Sequence, residues 1–428
     1  MPVRPVTLAA AVLASTLAAS PLPAAELTPL EREVVRQVDD GHEAAVALLR
    51  QSVDVPSATE DHAGVRRVGE LYAAELKALG FATRWVDQAA VSRAGHLVAE
   101  RKGPKGKRLL LIGHLDTVLA GEPFRREGGR AYGSGVADMK GGNAIALAAL
   151  RALHRAGALD GTTVTAFFTG DEEDTGKPFE TSRAALVEAA RRSDAALAFE
   201  GYAPGTAVVG RRGFSSWRLE VTGSQGHSSG IFGEERGSGA VFEAARILSA
   251  FHDELREPYL TYNPSVLLGG SDVAYDAAAF SGTASGKTNV VARRAVAAGD
   301  LRFLTRQQLE SARERMRAVV ARSLPATSAR IEFTDGMPSL EPSQGGRALL
   351  RLLDGISRDL GAGPVEEHDP SKRGAGDVSF VGPWVAAIDG LGALGEHEHA
   401  PGEWCDLEEM RLLTKRAALL VLRLTRPE

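Results

Sequence analysis

The sequence contains almost no cysteine: Cys405 is the only thiol among 428 residues. One cysteine cannot form a disulfide within the chain, and it cannot supply the several thiolates of a structural zinc site such as Cys₄. Any metal that this protein binds must therefore be held by imidazole and carboxylate groups. We expect Cys405 itself to pack as a small hydrophobic residue.

The sequence also lacks a concentration of positive charge. The formal net charge is -5 and the pI is about 6.1, and lysine and arginine are spread along the chain without a basic stripe. Nothing in this balance points to a nucleic-acid partner or an anionic membrane. With 44% hydrophobic and 25% charged residues, the composition is that of a globular protein.

Long apolar runs are absent except near the N-terminus. There, one basic residue (Arg4) precedes an apolar segment from about residue 6 to residue 19, and small residues follow it. This pattern is typical of a secretory signal peptide, and the segment is too short to span a bilayer. We predict a signal peptide at residues 1–25, cleaved between Ser20 and Ala25. The mature protein is expected to be periplasmic or secreted, with no membrane attachment.

Beyond the predicted signal peptide, the sequence alternates between helix and strand patterns. A helix is predicted to begin at Pro29, with Thr28 and Glu31 forming a capping box. Apolar runs at residues 109–112, 164–168 and 195–199 are separated by helical segments. Continuous apolar strands of this kind indicate a mostly parallel sheet that is buried by helices on both faces.

The pattern changes after about residue 210. Strand and helix segments then follow in the order β-α-β-β-α-β, which is the ferredoxin-like order. The sequence therefore predicts an α/β domain interrupted by a smaller α+β domain, which is consistent with the length of the chain. The predicted bounds are residues 26–210 and 336–428 for the two parts of the larger domain and 211–335 for the inserted domain.

Four predicted strands of the larger domain are followed by side chains that commonly bind metals. Ligands of open α/β sheets bind just beyond the carboxyl ends of the strands. Clustered carboxylates repel one another and raise each other's pKa, and a divalent cation removes that problem. The side chains, grouped by strand, are His114 and Asp116, Glu172 and Glu173, Glu200, and His397 and His399.

A mixture of carboxylates and imidazoles suits Zn²⁺, Mn²⁺ or Co²⁺, and zinc is the expected ion. Two ions need a shared ligand, and Asp138 in the glycine-rich loop YGSGVADMKGG is a candidate. An anion-binding turn at a helix N-terminus is the alternative for this loop. The loop lacks the G-x-x-x-x-G-K-[ST] spacing of a P-loop, which favours the metal.

The segments GHLDTV, GVADMKGG, DEE, FEG and HAPGEW, in this order, resemble the di-zinc metallopeptidase family that contains aminoacylase, acetylornithine deacetylase, succinyl-diaminopimelate desuccinylase and glutamate carboxypeptidase. The resemblance covers nearly all of the mature chain. It implies a zinc-peptidase-like catalytic domain with an inserted lid and dimerisation domain. It also implies two zinc ions per subunit, with cobalt or manganese as alternatives, and a homodimer formed through the inserted domain.

The resemblance implies one bridging carboxylate and two further ligands for each ion. Asp138 bridges, His114 and Glu200 complete one site, and Glu173 and His399 complete the other. The choice of the last histidine stays open between His399 and His397. His399 precedes Glu403 by four residues, as in the family's usual H-x-x-x-E pattern, and this spacing favours His399.

The resemblance also implies the catalytic groups. Asp116 orients His114, an arrangement expected for a metal-ligating imidazole. Glu172 is the general base that takes a proton from a water bridging the two metals. His227, in the segment VTGSQGHSSG, would donate to the oxyanion, and in dimeric relatives this histidine enters the site of the partner subunit.

Substrate contacts are implied at four positions. Asn289 and Arg302 would hold the substrate, because an arginine fork grips a free carboxylate well. Gly376 and Asp377, in GAGDVSFVG, match the loop near the end of the substrate. The remaining six histidines match no motif and are predicted to be ordinary surface or helix residues. Of the other two acids in the DEED run, Asp171 is expected to shape the turn and Asp174 to be solvated.

These features together predict an exported di-zinc exopeptidase that removes a C-terminal amino acid from peptides or N-acyl amino acids, closest in kind to glutamate carboxypeptidase. An N-acyl-amino-acid deacylase or dipeptidase with the same site is the nearest alternative, and an aminopeptidase is another. A non-catalytic peptide-binding protein is the alternative of a different class. The presence of Glu172 and a full set of ligands argues against it.

Overall fold

The computed structural model describes residues 26–119 and 121–426, so the predicted signal peptide lies outside the described residues. Among the described helices, none combines the length and apolar character needed to cross a bilayer. The helices are α1 (Pro29–Val53), α2 (His62–Ala78), α3 (Lys140–Arg155), α4 (Phe179–Ser182), α5 (Ala184–Arg191), α6 (Gly239–Glu254), α7 (Arg306–Val320), α8 (Gln344–Asp359), α9 (Val378–Val381) and α10 (Leu407–Thr425).

The strands are distributed among a main sheet, a second four-stranded sheet and several smaller pairings. They are β1 (Ala82–Gln88), β2 (Arg93–Arg101), β3 (Lys105–His114), β4 (Arg125–Glu127), β5 (Arg130–Tyr132), β6 (Thr162–Thr169), β7 (Ala195–Ala198), β8 (Thr206–Ala207), β9 (Gly213–Gly223), β10 (Thr261–Gly270), β11 (Asp272–Asp276), β12 (Ser281–Ser285), β13 (Arg294–Phe303), β14 (Thr327–Asp335), β15 (Glu366–Glu367), β16 (Ala386–Ile388), β17 (Gly395–Glu396) and β18 (Trp404–Asp406).

The main sheet has six strands in the order β1-β2-β6-β3-β7-β16. The four strands β6, β3, β7 and β16 run parallel to one another. At the other end of the sheet, β2 is antiparallel to β6, and β1 is antiparallel to β2. The predicted mostly parallel sheet is therefore confirmed, whereas β1 and β2 were not predicted from the sequence.

Helices cover both faces of this sheet, as predicted. Along β3, Leu109 and Leu111 pack into a core shared with α1, α2, α3 and α10, whereas Leu110 and Ile112 pack into a second core with α5 and α9. Successive residues of a strand point to opposite faces. Burial on both faces is why the central strands are continuously apolar in sequence.

The first helix begins as the sequence predicts. The hydroxyl of Thr28 accepts a hydrogen bond from the backbone nitrogen of Glu31, and the Glu31 carboxylate accepts one from the backbone nitrogen of Thr28. This reciprocal pair satisfies two of the N–H groups that a helix N-terminus leaves free. Cys405 is buried as a free thiol, as expected.

The second sheet is antiparallel, with the order β10-β13-β9-β14. Its strands and the helices α6 and α7 follow one another as β-α-β-β-α-β and share a separate hydrophobic core. This is the inserted ferredoxin-like unit, which we call the lid. A hairpin formed by β11 and β12 interrupts it before β13. Every residue of β12 is exposed, so this strand of the hairpin has no buried face that an apolar pattern could reveal.

The topology brings the predicted metal ligands to one edge of the main sheet. β3 ends at His114, the loop with Glu172 and Glu173 follows β6, and Glu200 lies two residues after β7. These three strands are parallel neighbours, so their carboxyl ends meet at the same edge.

Candidate metal centre

His114 is buried, and its two ring nitrogens have different environments. Nδ1 lies 2.9 Å from the backbone oxygen of Asp116. That contact favours a proton on Nδ1 and leaves Nε2 with a lone pair for a metal. Nε2 points towards two carboxylates, at 3.1 Å from Oδ1 of Asp138 and 3.8 Å from Oε1 of Glu200.

Asp138 lies between two histidines. Its Oδ1 faces His114, and its Oδ2 lies 3.0 Å from Nε2 of His399. The carboxylate thus presents one oxygen to each side of the site. This is the placement that a ligand shared by two ions requires.

The second side of the site contains Glu173 and His399. Nε2 of His399 lies 3.2 Å from Oε2 of Glu173. The other carboxylate oxygen of Glu173 is buried and has no hydrogen-bond partner in the described part of the chain. His397 is exposed and belongs to none of the ligand groups found among the described residues. The structure therefore brings His399, and not His397, to the other ligands.

The side chains form two triads that share one residue. His114, Asp138 and Glu200 form one, and Asp138, Glu173 and His399 form the other, each with its ligand atoms within 4.8 Å of one another. A buried carboxylate oxygen without a partner is costly unless a cation or a donor satisfies it. The arrangement therefore fits two divalent ions bridged by Asp138, and its mixed nitrogen and oxygen ligands suit zinc, manganese or cobalt.

The charges of the site favour bound cations. Burial raises the pKa of Glu200 to about 8 and also raises the pKa of Glu173. Hydrogen bonds to Asp138 and Glu173 raise the pKa of His399 to about 11. Burial alone would lower the pKa of His114, but its contacts with Asp116 and Asp138 raise it well above its usual value. Without metals, the cluster thus holds extra protons, which a divalent ion can replace.

Asp116 organises more of the site than the sequence indicates. Besides contacting His114, its carboxylate accepts hydrogen bonds from the hydroxyl of Thr59 at 2.8 Å and from the backbone nitrogens of Glu172 and Glu173, each at 3.1 Å. It therefore ties the loop that follows β6 to the loop that follows β3. Its predicted role in orienting His114 is compatible with this position.

Glu172 belongs to neither of the two triads that contain Asp138, but it lies close to one residue of each. It forms a third group with His114 from one triad and Glu173 from the other. Burial and the nearby carboxylate of Glu200 raise its pKa well above the usual value. A carboxylate with a raised pKa beside two metal sites is suited to accept and return a proton.

Glu403 is a functional residue whose role the sequence did not reveal. Its carboxylate accepts hydrogen bonds from the backbone nitrogens of Gly135, Ala137 and Asp138 at 2.7, 2.8 and 2.9 Å. It therefore holds the loop that carries Asp138. The H-x-x-x-E spacing was the signal that could have identified it.

Asp171 shapes the turn as expected, because its carboxylate accepts a hydrogen bond from the backbone nitrogen of Gly176 at 2.9 Å. It is also fully buried and paired with Arg183 at 2.6 Å, which was not expected. Asp174 is exposed and contacts Arg93.

The prediction that His96 is an ordinary surface or helix residue is wrong. This histidine is fully buried in β2, where Nδ1 accepts a hydrogen bond from the backbone nitrogen of Gly170 at 3.2 Å.

The structure does not bring Asp377 to the surface of the site. Its carboxylate is buried and accepts hydrogen bonds from Arg183 at 2.7 Å and from the hydroxyl of Thr169. Gly376 packs against Arg211, whose Nη1 lies 2.8 Å from the point that a Cβ on Gly376 would occupy. Arg211 is a second buried arginine that the sequence analysis did not identify.

Among the described residues, the predicted lid residues make no hydrogen bond or ion pair with the predicted metal ligands. His227 is exposed, and its imidazole contacts the hydroxyl of Ser229 at 2.8 Å. Its loop pairs with the loop of Asn289, since the backbone nitrogen of Ser228 donates to the oxygen of Asn289 at 2.9 Å. Arg302 lies at the end of β13, and its Nη1 is 4.0 Å from the point that a Cβ on Gly374 would occupy. Arg302 therefore faces a loop of the larger domain.

Comparisons with known proteins show what the chain is similar to. The model of the family described as "Peptidase family M20/M25/M40" matches residues 110–423. Carboxypeptidase G2 of Pseudomonas sp. (strain RS-16) is 28% identical over 395 residues, which cover 90% of this chain and 90% of that protein. Succinyl-diaminopimelate desuccinylase of Rhodospirillum centenum is 28% identical over 395 residues, covering 86% of this chain and 94% of that protein. The solved structure of aminopeptidase PepT from Bacillus cereus has a TM-score of 0.72 at 17% identity and covers 90% of this chain and 99% of that chain.

Proposed function

Because the chain belongs to peptidase family M20/M25/M40, we propose that it is a zinc-dependent carboxypeptidase. In this proposal it releases a C-terminal amino acid from peptides or N-acyl amino acids, and it uses two zinc ions. The similarity to carboxypeptidase G2, which extends over most of both chains, supports this reaction.

The observation that carries the proposal is the position of Glu172 between the two triads. It lies within 4.8 Å of a ligand atom of His114 on one side and of Glu173 on the other. A general base must reach the water that attacks the substrate, and that water must lie between the ligand groups. A carboxylate that is not needed to complete either triad remains free to move a proton.

The chain's own residues then divide the chemical work. When bound, the two ions supply the Lewis acidity that polarises the scissile carbonyl and promotes ionisation of water. Glu172 takes the proton of the attacking water and passes it to the leaving amine. His227 donates a hydrogen bond to the oxyanion that develops on the carbonyl oxygen. Asp116 keeps His114 and the Glu172 loop in place during these steps.

Arg302 is suited to hold the free carboxylate of the substrate. Its Nε donates to Asp300 at 2.9 Å, whereas its Nη nitrogens make no hydrogen bond within the described residues. Two adjacent N–H groups can bind a carboxylate in a bidentate manner. Asn289 lies on the loop paired with that of His227 and would add a further contact from the lid.

The proposal also includes a homodimer formed through the lid. Strand β10 is an edge strand, and Leu267 on it is exposed. The exposed side chains of Val241 and Phe242 lie on α6 of the same domain. Edge strands and contiguous apolar surface favour association. If His227 acts in the site of the partner subunit, a mixture of His227→Ala and Glu172→Ala subunits regains activity that each variant lacks. Inactivity of the mixed dimer would contradict this arrangement.

The experiment that tests the function is a release assay on the zinc-loaded protein without residues 1–25. Peptides and N-acyl amino acids with free C-termini are compared with the same compounds carrying a C-terminal amide. Glu172→Ala serves as the inactive control. We expect release of the C-terminal residue from the free acids only. Equal cleavage of the amidated compounds would exclude a carboxypeptidase and favour an aminopeptidase, the activity named for the structural neighbour PepT.

An N-acyl-amino-acid deacylase or dipeptidase with the same site is the second candidate. The observation that favours it is the similarity to succinyl-diaminopimelate desuccinylase, which has the same 28% identity to this chain as carboxypeptidase G2. The two candidates differ in the group that precedes the scissile bond. Turnover of N-acyl amino acids without turnover of longer peptides would identify the deacylase.

A further inference from the structure

We propose that Arg183 and Arg211 are positioning residues that act as one unit on the metal site. The unit is completed by the segment of residues 374–377, which lies between the two arginines and which we call the brace loop. Through this loop, the two arginines fix the loop of Glu172 and Glu173 relative to Glu200. The inference rests on the proposed metal site, and it goes beyond that site because neither arginine is a ligand.

Arg183 holds the loop that carries Glu172 and Glu173. Its Nη1 donates to the carboxylate of Asp171 at 2.6 Å, and its Nη2 donates to the backbone oxygen of Asp171 at 3.1 Å and to the hydroxyl of Thr175 at 3.2 Å. Asp171 and Thr175 stand on either side of the two glutamates. The guanidinium of Arg183 therefore binds both ends of the segment that carries Glu172 and Glu173.

The same guanidinium also holds the brace loop. Its Nε donates to Oδ1 of Asp377 at 2.7 Å, and Oδ2 of Asp377 accepts from the hydroxyl of Thr169 at the end of β6. Arg183 is 1% exposed, and Asp171 and Asp377 are 0% and 3% exposed. A buried arginine between two buried carboxylates cannot exchange its partners for water. Its position therefore fixes the distance between the two loops.

Arg211 holds the brace loop from the other end. Its Nε donates to the backbone oxygen of Gly374 at 2.7 Å, and its Nη2 donates to that of Ala375 at 3.0 Å. Its Nη1 donates to Asp389 at 2.5 Å. The carboxylate of Asp389 accepts a hydrogen bond from the backbone nitrogen of Glu200 at 3.3 Å. Arg211 thus links the brace loop to the ligand Glu200.

Gly376 allows the brace loop to lie directly against Arg211. A Cβ at this position would be 2.8 Å from Nη1 and 2.9 Å from Cζ of the guanidinium, so any other residue would displace the arginine. The loop is therefore in contact with one arginine through Gly376 and with the other through Asp377. A displacement of either arginine should be transmitted to the other, because neighbouring groups in one buried network do not act independently.

The experiment compares four proteins with the wild type: Arg183→Lys, Arg211→Lys, the double variant, and Arg93→Ala as the matched control. A lysine keeps the charge, but its single ammonium cannot reproduce the several directed hydrogen bonds of a guanidinium. Arg93 contacts the same loop from its outer side, through the backbone oxygen of Asp174 at 2.7 Å, and makes no hydrogen bond to the brace loop within the described residues. Co²⁺ affinity is measured by absorption titration, thermal unfolding is recorded, and kcat and KM are determined separately.

We expect each single variant to bind Co²⁺ about 10- to 100-fold more weakly, as is usual when a group supporting a metal ligand is changed. The double variant should bind Co²⁺ no more weakly than the single variant with the lower affinity. The reason is that breaking one link already frees the loops from each other, so breaking the second adds nothing. The fall in activity should appear in kcat rather than in KM. Arg93→Ala should bind Co²⁺ like the wild type.

Two results would overturn the proposal. One is a fold-loss of Co²⁺ affinity in the double variant that equals the product of the fold-losses in the two single variants. This would show that the two arginines act separately. The other is wild-type Co²⁺ affinity in either folded single variant. If Arg183→Lys does not fold, Asp377→Asn replaces it in the same cycle, because it removes the charge that pairs with Arg183 while keeping the size of the side chain. The metal titration needs no substrate, so a wild type that binds Co²⁺ but cleaves no amide would refute the proposed function and still test the unit.

Discussion

Glu403 holds Asp138 through the backbone: Oε1 of Glu403 accepts a hydrogen bond from the backbone nitrogen of Asp138 at 2.9 Å. The same carboxylate binds the backbone nitrogens of two further residues in that loop. Asp138 is the one residue common to both ligand triads. A group that sets the position of Asp138 therefore acts on both halves of the site, although it lies outside them.

The first prediction concerns Glu403→Gln. An amide offers one acceptor oxygen, and its NH₂ group would face backbone N–H donors, so at least one of the three hydrogen bonds is lost. We expect both zinc ions to bind about 10- to 100-fold more weakly, measured by competition with a chromophoric chelator. Glu408→Gln, at an exposed position on α10, is the control. Weakening at only one of the two sites would contradict the role given to Glu403.

A second prediction separates the two adjacent glutamates. Glu173→Gln removes a ligand, so the protein should retain about one zinc ion per subunit after dialysis against metal-free buffer. Glu172→Gln should keep both ions and lose about 10²- to 10⁴-fold in kcat, the usual range for a general base. Metal content by mass spectrometry and turnover of the preferred substrate check this. If Glu172→Gln also lost a metal, Glu172 would be a ligand and the base would lie elsewhere.

The third prediction decides between the two histidines of the GEHEHAPGEW segment. His399 lies 3.0 Å from Asp138 and 3.2 Å from Glu173, whereas His397 is exposed and belongs to no ligand group found among the described residues. His399→Ala should therefore lower zinc content and abolish turnover. His397→Ala, two residues away on the same loop, should change neither. The reverse outcome would show that the loop rearranges when metal binds.

The sequence could predict that His114, Glu173 and Glu200 lie near one another, because each lies at or just after the end of a buried strand. Because β3, β6 and β7 are buried on both faces, each is recognisable in the sequence as an apolar run. The polar residues that follow these parallel strands lie at the same edge of the sheet. The supporting residues were not predictable in this way. Arg183, Arg211 and His96 are buried polar residues, and no local pattern distinguishes a buried arginine from an exposed one. Their partners come from distant parts of the chain, for example Asp377 for Arg183.

The fourth prediction concerns pH in the metal-free protein. Burial raises the pKa of Glu200 to about 8 from 4.5, so between these values the folded protein keeps a proton that the unfolded chain has lost. Stability from this group is complete below pH 4.5 and is lost as the pH rises through about 8. Metal-free Glu200→Gln should therefore gain stability relative to the wild type as the pH rises through this window.

Denaturant unfolding of both proteins in the presence of a chelator, across that window, checks the prediction. Excess zinc should reverse the order at the upper end, because only the wild type then has the complete His114, Asp138 and Glu200 triad. A difference between the two metal-free proteins that stays constant with pH would contradict the raised pKa.

The last prediction concerns the arginine at the end of β13. The Nη nitrogens of Arg302 make no hydrogen bond within the described residues, and Nη1 lies 4.0 Å from the point that a Cβ on Gly374 of the brace loop would occupy. If they bind the carboxylate of the substrate, Arg302→Met removes a charge-assisted pair worth about 1.5–3 kcal/mol, and KM should rise about 10- to 100-fold. The metal content should not change, because Arg302 contacts none of the ligands in the described part of the chain.

Arg294→Met is the matched control, since Arg294 begins the same strand, at the end far from Arg302, and is exposed. Its substitution should leave both KM and kcat unchanged. The two arginines can also be compared on a substrate whose C-terminus is amidated. Because that compound has no C-terminal carboxylate for Arg302 to bind, neither the Arg302→Met variant nor the wild type should cleave it. A large difference between them on the amide would mean that Arg302 acts on the shape of the lid, and that another group binds the carboxylate.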